Sequence, residues 1–188
     1  MALSKIDVAN MLTGATPVAN GGTALTSGFV NGITVAEQWH LTSNKTSAGD
    51  ITANLSLFSS NGAGNINAGM SQSSGIFTFP STGFWQITFR MQIEEGNQSS
   101  NDGIIRPEIH LTTDNSSYEA VARGQEGIAG GTVAEFGASS SASLIFDVTN
   151  TTTHKCKFSI QSLSSNDRLL GASSQMFTSF IFMRLGDT

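Results

Sequence analysis

The residues of this chain whose types could do chemistry are three histidines, one cysteine and a few carboxylates. His40, His110 and His154 could bind a metal or move a proton. A tetrahedral metal site draws ligands from closely spaced groups, and no His-x-His or Cys-x-x-Cys pair is present. Cys156 is the single cysteine, which excludes an intramolecular disulfide and a multi-thiolate site. It runs in phase with Phe158 and Ile160, so a buried, inert thiol is expected rather than a nucleophile. Glu94 and Glu95 are a carboxylate pair of the kind that acid/base catalysis uses. Adjacent strand residues point to opposite faces, so this pair is expected to be a solvated strand end. Asp102 and Asp114 stand among Asn, Gly and Ser, where a carboxylate bonds its own backbone in a turn, and no Asp-x-Asp spacing suggests calcium. Asn150-Thr151-Thr152 is a sequon of the sort that chance supplies in a Ser/Thr-rich chain. No catalytic residue, metal or cofactor is expected, and the chain does not read as an enzyme.

The elements around these residues are strands. From Trp85, the residues Trp85, Ile87, Phe89, Met91 and Ile93 alternate with Gln86, Thr88, Arg90 and Gln92. That period of two marks a strand with one buried face and one wet face. It meets a preceding strand across the corner Pro80-Ser81-Thr82-Gly83. Val35, Glu37, Trp39 and Leu41 alternate weakly, and the loop Asn61-Gly62-Ala63-Gly64 precedes a run from Ile66 to Met70. Ile105, Pro107, Ile109 and Leu111 alternate again, with Pro107 expected at an edge or bulge because it lacks a ladder donor. The turn 114–117 leads into a strand from Tyr118 to Arg123, and 124–131 is expected to be a loop. Further strands are expected at 141–148, with Leu144, Phe146 and Val148 inward, at 154–163 with Cys156, Phe158 and Ile160 inward, and at 175–185. Many short strands without helical periodicity predict an all-β, two-sheet antiparallel sandwich.

Length and composition fit one such domain. The 188 residues are 38% apolar and only 12% charged, so the surface is wetted mainly by hydroxyls and amides. A net charge of −5, with no Lys/Arg cluster, argues against nucleic acid as a partner. No window reaches the roughly 18 apolar residues of a membrane helix, and residues 1–10 lack a secretory pattern, so synthesis in a cytoplasm is expected. The domain is expected at 34–188, preceded by an arm at 1–33. Residues 15–28 are small, polar and Gly-rich, too poor in apolar side chains to form a core. Extended at about 3.3 Å per residue, the arm would reach about 100 Å. Leu3, Ile6, Leu12, Pro17, Val18 and Leu25 are its candidate attachment residues.

The last strand is apolar on both sides. Met176, Phe180 and Phe182 share one face, while Phe177, Ile181, Met183 and Leu185 share the other. One face belongs to the core, and the other needs a cover: a loop, the arm or a second subunit. Phe177, Ile181, Met183 and Leu185, with Trp85 or Phe84, are the candidate seam residues of a self-assembly.

Two resemblances extend this reading. Gly75-x-Phe77, Pro80-x-x-Gly83 followed by two aromatics, and the terminal Phe177-Thr178-Ser179-Phe180-Ile181-Phe182 resemble the jelly-roll domain of the complement globular-head and tumour-necrosis-factor superfamily. That resemblance implies a compact homotrimer packed through aromatic strand faces. Ser179 departs from the glycine frequent there, and no collagen-like repeat precedes the domain. The segments 1–7, 17–23, 147–155 and 182–188 are similar to virion structural proteins of marine tailed bacteriophages. Together these imply a trimeric capsid decoration, or cement, protein on the exterior of a virion, bound to the major capsid protein through its arm. The alternative is a receptor-binding tip or tail-fibre part that presents loops 96–103, 114–117 and 124–131 to a host surface glycan or protein.

Overall fold

The computed structural model describes residues 32–95, 103–128, 137–163 and 167–188. All but Gly32 belong to a compact unit, Ile33–Thr188. The expected arm and its six attachment residues lie outside the described residues, apart from positions 32 and 33, as does most of the loop 96–103. Every regular element described is a strand, which gives the all-β class that the alternation predicts.

In chain order the strands are β1 Ala36–Leu41, β2 Gly49–Asp50, β3 Leu55–Leu57, β4 Ser71–Ser73, β5 Ile76–Thr78, β6 Gly83–Glu95 and β7 Gly103–Thr112. There follow β8 Glu119–Arg123, β9 Glu126–Ile128, β10 Gly137–Val148, β11 Lys155–Gln161, β12 Asp167–Leu169 and β13 Ser179–Gly186. One sheet has the order β10-β6-β13-β1-β3, with β12 also paired to β6. The other runs β4-β5-β11-β7-β8, with β2 on β11 and β9 on β7. All pairings are antiparallel, and the chain crosses between the sheets repeatedly, as a jelly roll requires.

The inward phase of β6 is buried throughout: Trp85, Ile87, Phe89, Met91 and Ile93 are all at most 1% exposed. Phenylalanines from both sheets interlock against it. Phe180 of β13 lies 4.5 Å from Phe158 of β11 and 5.0 Å from Phe89 of β6, between ring centroids. Phe182 lies 5.0 Å from Phe77 of β5. Such pairs add about 0.5–1.5 kcal/mol each beyond area burial.

Glu37 occupies an inward position of β1 and is fully buried. Its Oε1 accepts the backbone N–H groups of Gly69 and Met70, the latter at 2.7 Å, and its Oε2 accepts the Trp39 indole N–H at 3.0 Å. These donors satisfy a carboxylate that would otherwise be costly to bury. They also pin the loop that feeds β4. The β4–β5 turn is Ser74-Gly75, both at positive φ (49° and 80°), the two-residue form that matches strand twist.

Four local expectations change. Ile66 makes only an isolated bridge to Ala36, and the strand follows it at the polar Ser71–Ser73, fixed by the tight turn. The segment 124–131 contains β9, whose Glu-Gly-Ile sequence carries no alternation to betray it. The last strand begins at Ser179 rather than 175, because the Thr178 hydroxyl takes the ladder position and accepts the Gln92 N–H at 3.3 Å. Pro107 sits in an interior strand, not at an edge. Its carbonyl accepts the Gly124 N–H at 3.0 Å, so its nitrogen faces the gap between the β9 and β8 pairings, where no donor is needed.

Glu37→Gln would turn one acceptor into an amide donor aimed at the Trp39 N–H; the expected loss is about 2–3 kcal/mol in urea unfolding. Gly75→Ala would drive a Cβ into the Ile51 carbonyl oxygen at positive φ. Thermal melts should show it more damaging than the roughly 1 kcal/mol of an ordinary positive-φ glycine replacement.

Candidate interaction surface

The outward phase of the β10-β6-β13-β1 sheet carries the candidate surface. Its strands hold side chains in cross-strand rows. One row is Ala36, Met183, Gln86 and Ile145; the next is Gln38, Ile181, Thr88 and Ser143; a third is His40, Ser179, Arg90 and Ser141. Phe84 precedes the first row on β6, beside Asp147.

Apolar groups gather at the Phe84 end. Ile145 is 63% exposed, Leu185 46% and Phe84 40%, with Ile181 and Met183 half-buried beside them. Leu185 lies in a β-bulge, where the register shifts between Arg184 and Gly186. Six residues along β6, about 20 Å at strand rise, the Arg90 end is polar. There Arg90, Gln92, Ser139, Ser141 and the half-buried Phe177 line a cleft of about 360 Å³.

The seam candidates thus divide. Ile181, Met183 and Leu185 lie on this outer sheet, and Phe177 lies before β13 at the polar end. Trp85 does not belong to the surface: it is 0% exposed, and its indole N–H donates to the Ser81 carbonyl at 3.2 Å. The cause is phase, since Trp85 shares the core side of β6 and its neighbour Phe84 takes the outer side. Ile145 was not anticipated. Its signal is an apolar residue out of phase between the inward Leu144 and Phe146.

The residues considered for chemistry lie apart. The His40 ring packs on Phe58 with centroids 4.9 Å apart, His154 stacks on Phe146 at 5.5 Å, and His110 Nε2 lies 3.0 Å from Glu108 Oε2. Glu94 is ion-paired with Arg168, and Asp102 lies outside the described residues. Among the described residues no three His, Cys, Asp or Glu side chains gather into a metal-binding group. Asp114 organises its turn: its Oδ1 accepts the Ser117 and Ser116 amides at 2.8 Å and the Thr112 hydroxyl at 2.7 Å. The Ser117 amide first, then these partners, hold its carboxyl far below the usual carboxylate range. Cys156 is fully buried, which pushes its thiol far above the ordinary range.

The opposite sheet presents paired charges. Arg123 Nε lies 2.7 Å from Glu108 Oε1, and Lys157 Nζ lies 2.7 Å from Asp50 Oδ2 and 4.9 Å from the Tyr118 ring centroid. The sequence gives no sign of these pairs, because their members come from different strands.

No family model and no curated protein matches the sequence. Solved structures do match in shape. The structure of Eiger TNF from S. frugiperda aligns with a TM-score of 0.54 at 9% identity, over 83% of this chain and 95% of that one. Murine APRIL at pH 5.0 aligns with a TM-score of 0.55 at 10% identity, over 80% and 98%. The fold is a TNF-like jelly roll. At such identity the likeness is one of fold, and the jelly roll's function must be argued from its surfaces.

Because Cys156 is enclosed by the jelly-roll core, a disulfide reagent such as DTNB should leave the native thiol unmodified and react quickly once urea unfolds the chain. Fast native labelling would show that the core opens readily.

Proposed function

We propose that this domain is a homotrimeric assembly module on the exterior of a virion, acting as a capsid decoration protein whose N-terminal segment 1–33 binds the major capsid protein. The observation that carries the reading is the apolar end of the outer sheet face. Ile145, Phe84 and Leu185 are exposed at one end of the face, beside the half-buried Ile181 and Met183, on the paired strands β10, β6 and β13, with Leu185 in the β13 bulge. Exposed apolar side chains gathered at one end of a sheet face are a surface that water penalises and a second copy can cover. The opposite sheet carries the ion pairs Glu108–Arg123 and Lys157–Asp50, and its exposed apolar side chains Ile104 and Val121 stand on different strands, β7 and β8.

Three copies are favoured because the sequence resembles a superfamily whose members trimerise, and the fold is a jelly roll of the same kind. The similarity of the chain's terminal segments to phage virion proteins supports the particle. Trimers suit three-fold shell positions, where each arm could bind across a different capsomer boundary, so that avidity makes weak contacts durable. Among the described residues no helix is long and apolar enough to cross a membrane. The alternative, a receptor-binding tip, is favoured by the polar cleft at the other end of the same face.

Sedimentation equilibrium of the full chain at about 10 μM should give a trimer, a concentration at which interfaces of ordinary size are closed. Ile145→Asp combined with Met183→Asp should dissociate it to folded monomers, and a wild-type monomer overturns the reading. Removing residues 1–32 should leave the trimer intact and abolish binding to capsids lacking the protein. Hundreds of copies per particle fit decoration, whereas a few dozen fit a tail or fibre.

A further inference from the structure

We propose that the cleft at the Arg90 end of the outer sheet binds a carboxylated saccharide, with Arg90 as the carboxylate anchor. Four arginines are engaged within the chain: Arg106 with Gln161, Arg123 with Glu108, Arg168 with Glu94 and Arg184 with Asp187. Arg90 is exposed, and its side chain makes no hydrogen bond or ion pair among the described residues. The carboxylate that follows on the same face of β6, Glu94, is held by Arg168. A guanidinium fork is thus left open in a protein of net charge −5, where excess carboxylates would readily have closed it.

The groups around the fork are those a sugar uses. Register places Ser141 opposite Arg90 and Ser139 opposite Gln92, so two hydroxyls, an amide and the guanidinium share one side of the sheet. Farther along β10, the Ser143 hydroxyl is already engaged, 2.9 Å from the Thr88 hydroxyl and donating to the Ile87 carbonyl at 3.1 Å. The Ser139 and Ser141 hydroxyls and the Gln92 amide have no partner among the described residues, which leaves donors and acceptors for ring hydroxyls. Phe177 contributes an aromatic wall suited to the apolar face of a pyranose. The volume of about 360 Å³ suits one or two sugar residues. A bidentate Arg–carboxylate pair fixes orientation, and the hydroxyl contacts select a saccharide over a bare anion.

This cleft lies within one chain and does not require the trimer. The experiment is a calorimetric titration of the full chain with trigalacturonic acid, using neutral galactotriose and sodium sulfate as comparisons. Trigalacturonate should bind with a Kd of about 1 mM or tighter, and the neutral trisaccharide at least about tenfold more weakly. Arg90→Met should raise Kd at least tenfold, and Arg90→Lys, which keeps charge but loses the fork, should also weaken binding several-fold. Circular dichroism and sedimentation should show both variants folded and in the wild-type assembly state. No trigalacturonate binding at about 10 mM, equal binding of the neutral sugar, displacement by sulfate as effective as by uronate, or binding that survives Arg90→Met overturns the proposal. Dissociation of the trimer by Arg90→Met also overturns it, since the cleft would then be a subunit seam. A wild-type monomer that binds uronate through Arg90 supports the proposal while removing the assembly reading.

Discussion

The contact between Phe180 and Phe158 joins the two sheets at their closest aromatic approach, 4.5 Å between centroids. Phe180 also stacks on Phe89, and Phe158 lies edge-on to Phe77, so four strands from both sheets meet through these rings. The burial of Trp85 and Ile87, the outward turn of Arg90 and Ile145, and the approach of Glu37 to its loop all follow from holding β13 in this position. Large rings fill the gap between sheets with few rotatable bonds, which gives dense packing at low side-chain entropy cost.

The two outer faces differ in how they meet water. On the β11-β7-β8 sheet, cross-strand charges such as Glu108 with Arg123 and Lys157 with Asp50 satisfy one another. On the β10-β6-β13-β1 sheet the apolar end and the polar end lie about 20 Å apart along β6. A single strand can therefore serve an assembly contact at one end and a ligand contact at the other without either sharing atoms.

Much of this was legible in the sequence. The period of two from Trp85 to Ile93 identifies β6 and its core face without ambiguity, and the alternations near Ile105 and Phe158 do the same for β7 and β11. The doubly apolar last strand correctly signals an outer face with Ile181 and Met183 on it. Phase also decides against Trp85 as a seam residue, since a side chain inward with Phe89 cannot also face out. What escaped depends on pairing between distant segments. Glu37 reads as an interruption of an apolar pattern until its donors, 32 and 33 residues away, are in place. Pro107 reads as an edge signal because sequence does not reveal that two short strands leave a gap on one side of β7. The open guanidinium of Arg90 is invisible for the same reason: only a folded chain shows which charges found partners.

The position of β13 between β1 and β6 has a consequence for biosynthesis. A ribosome delivers β1 and β6 long before residues 179–186, so during elongation each presents an unfilled hydrogen-bonding edge meant for a segment not yet made. Two such edges on one nascent chain invite pairing with a neighbour on the same messenger. Polysome crowding is then a setting in which this topology is exposed to error.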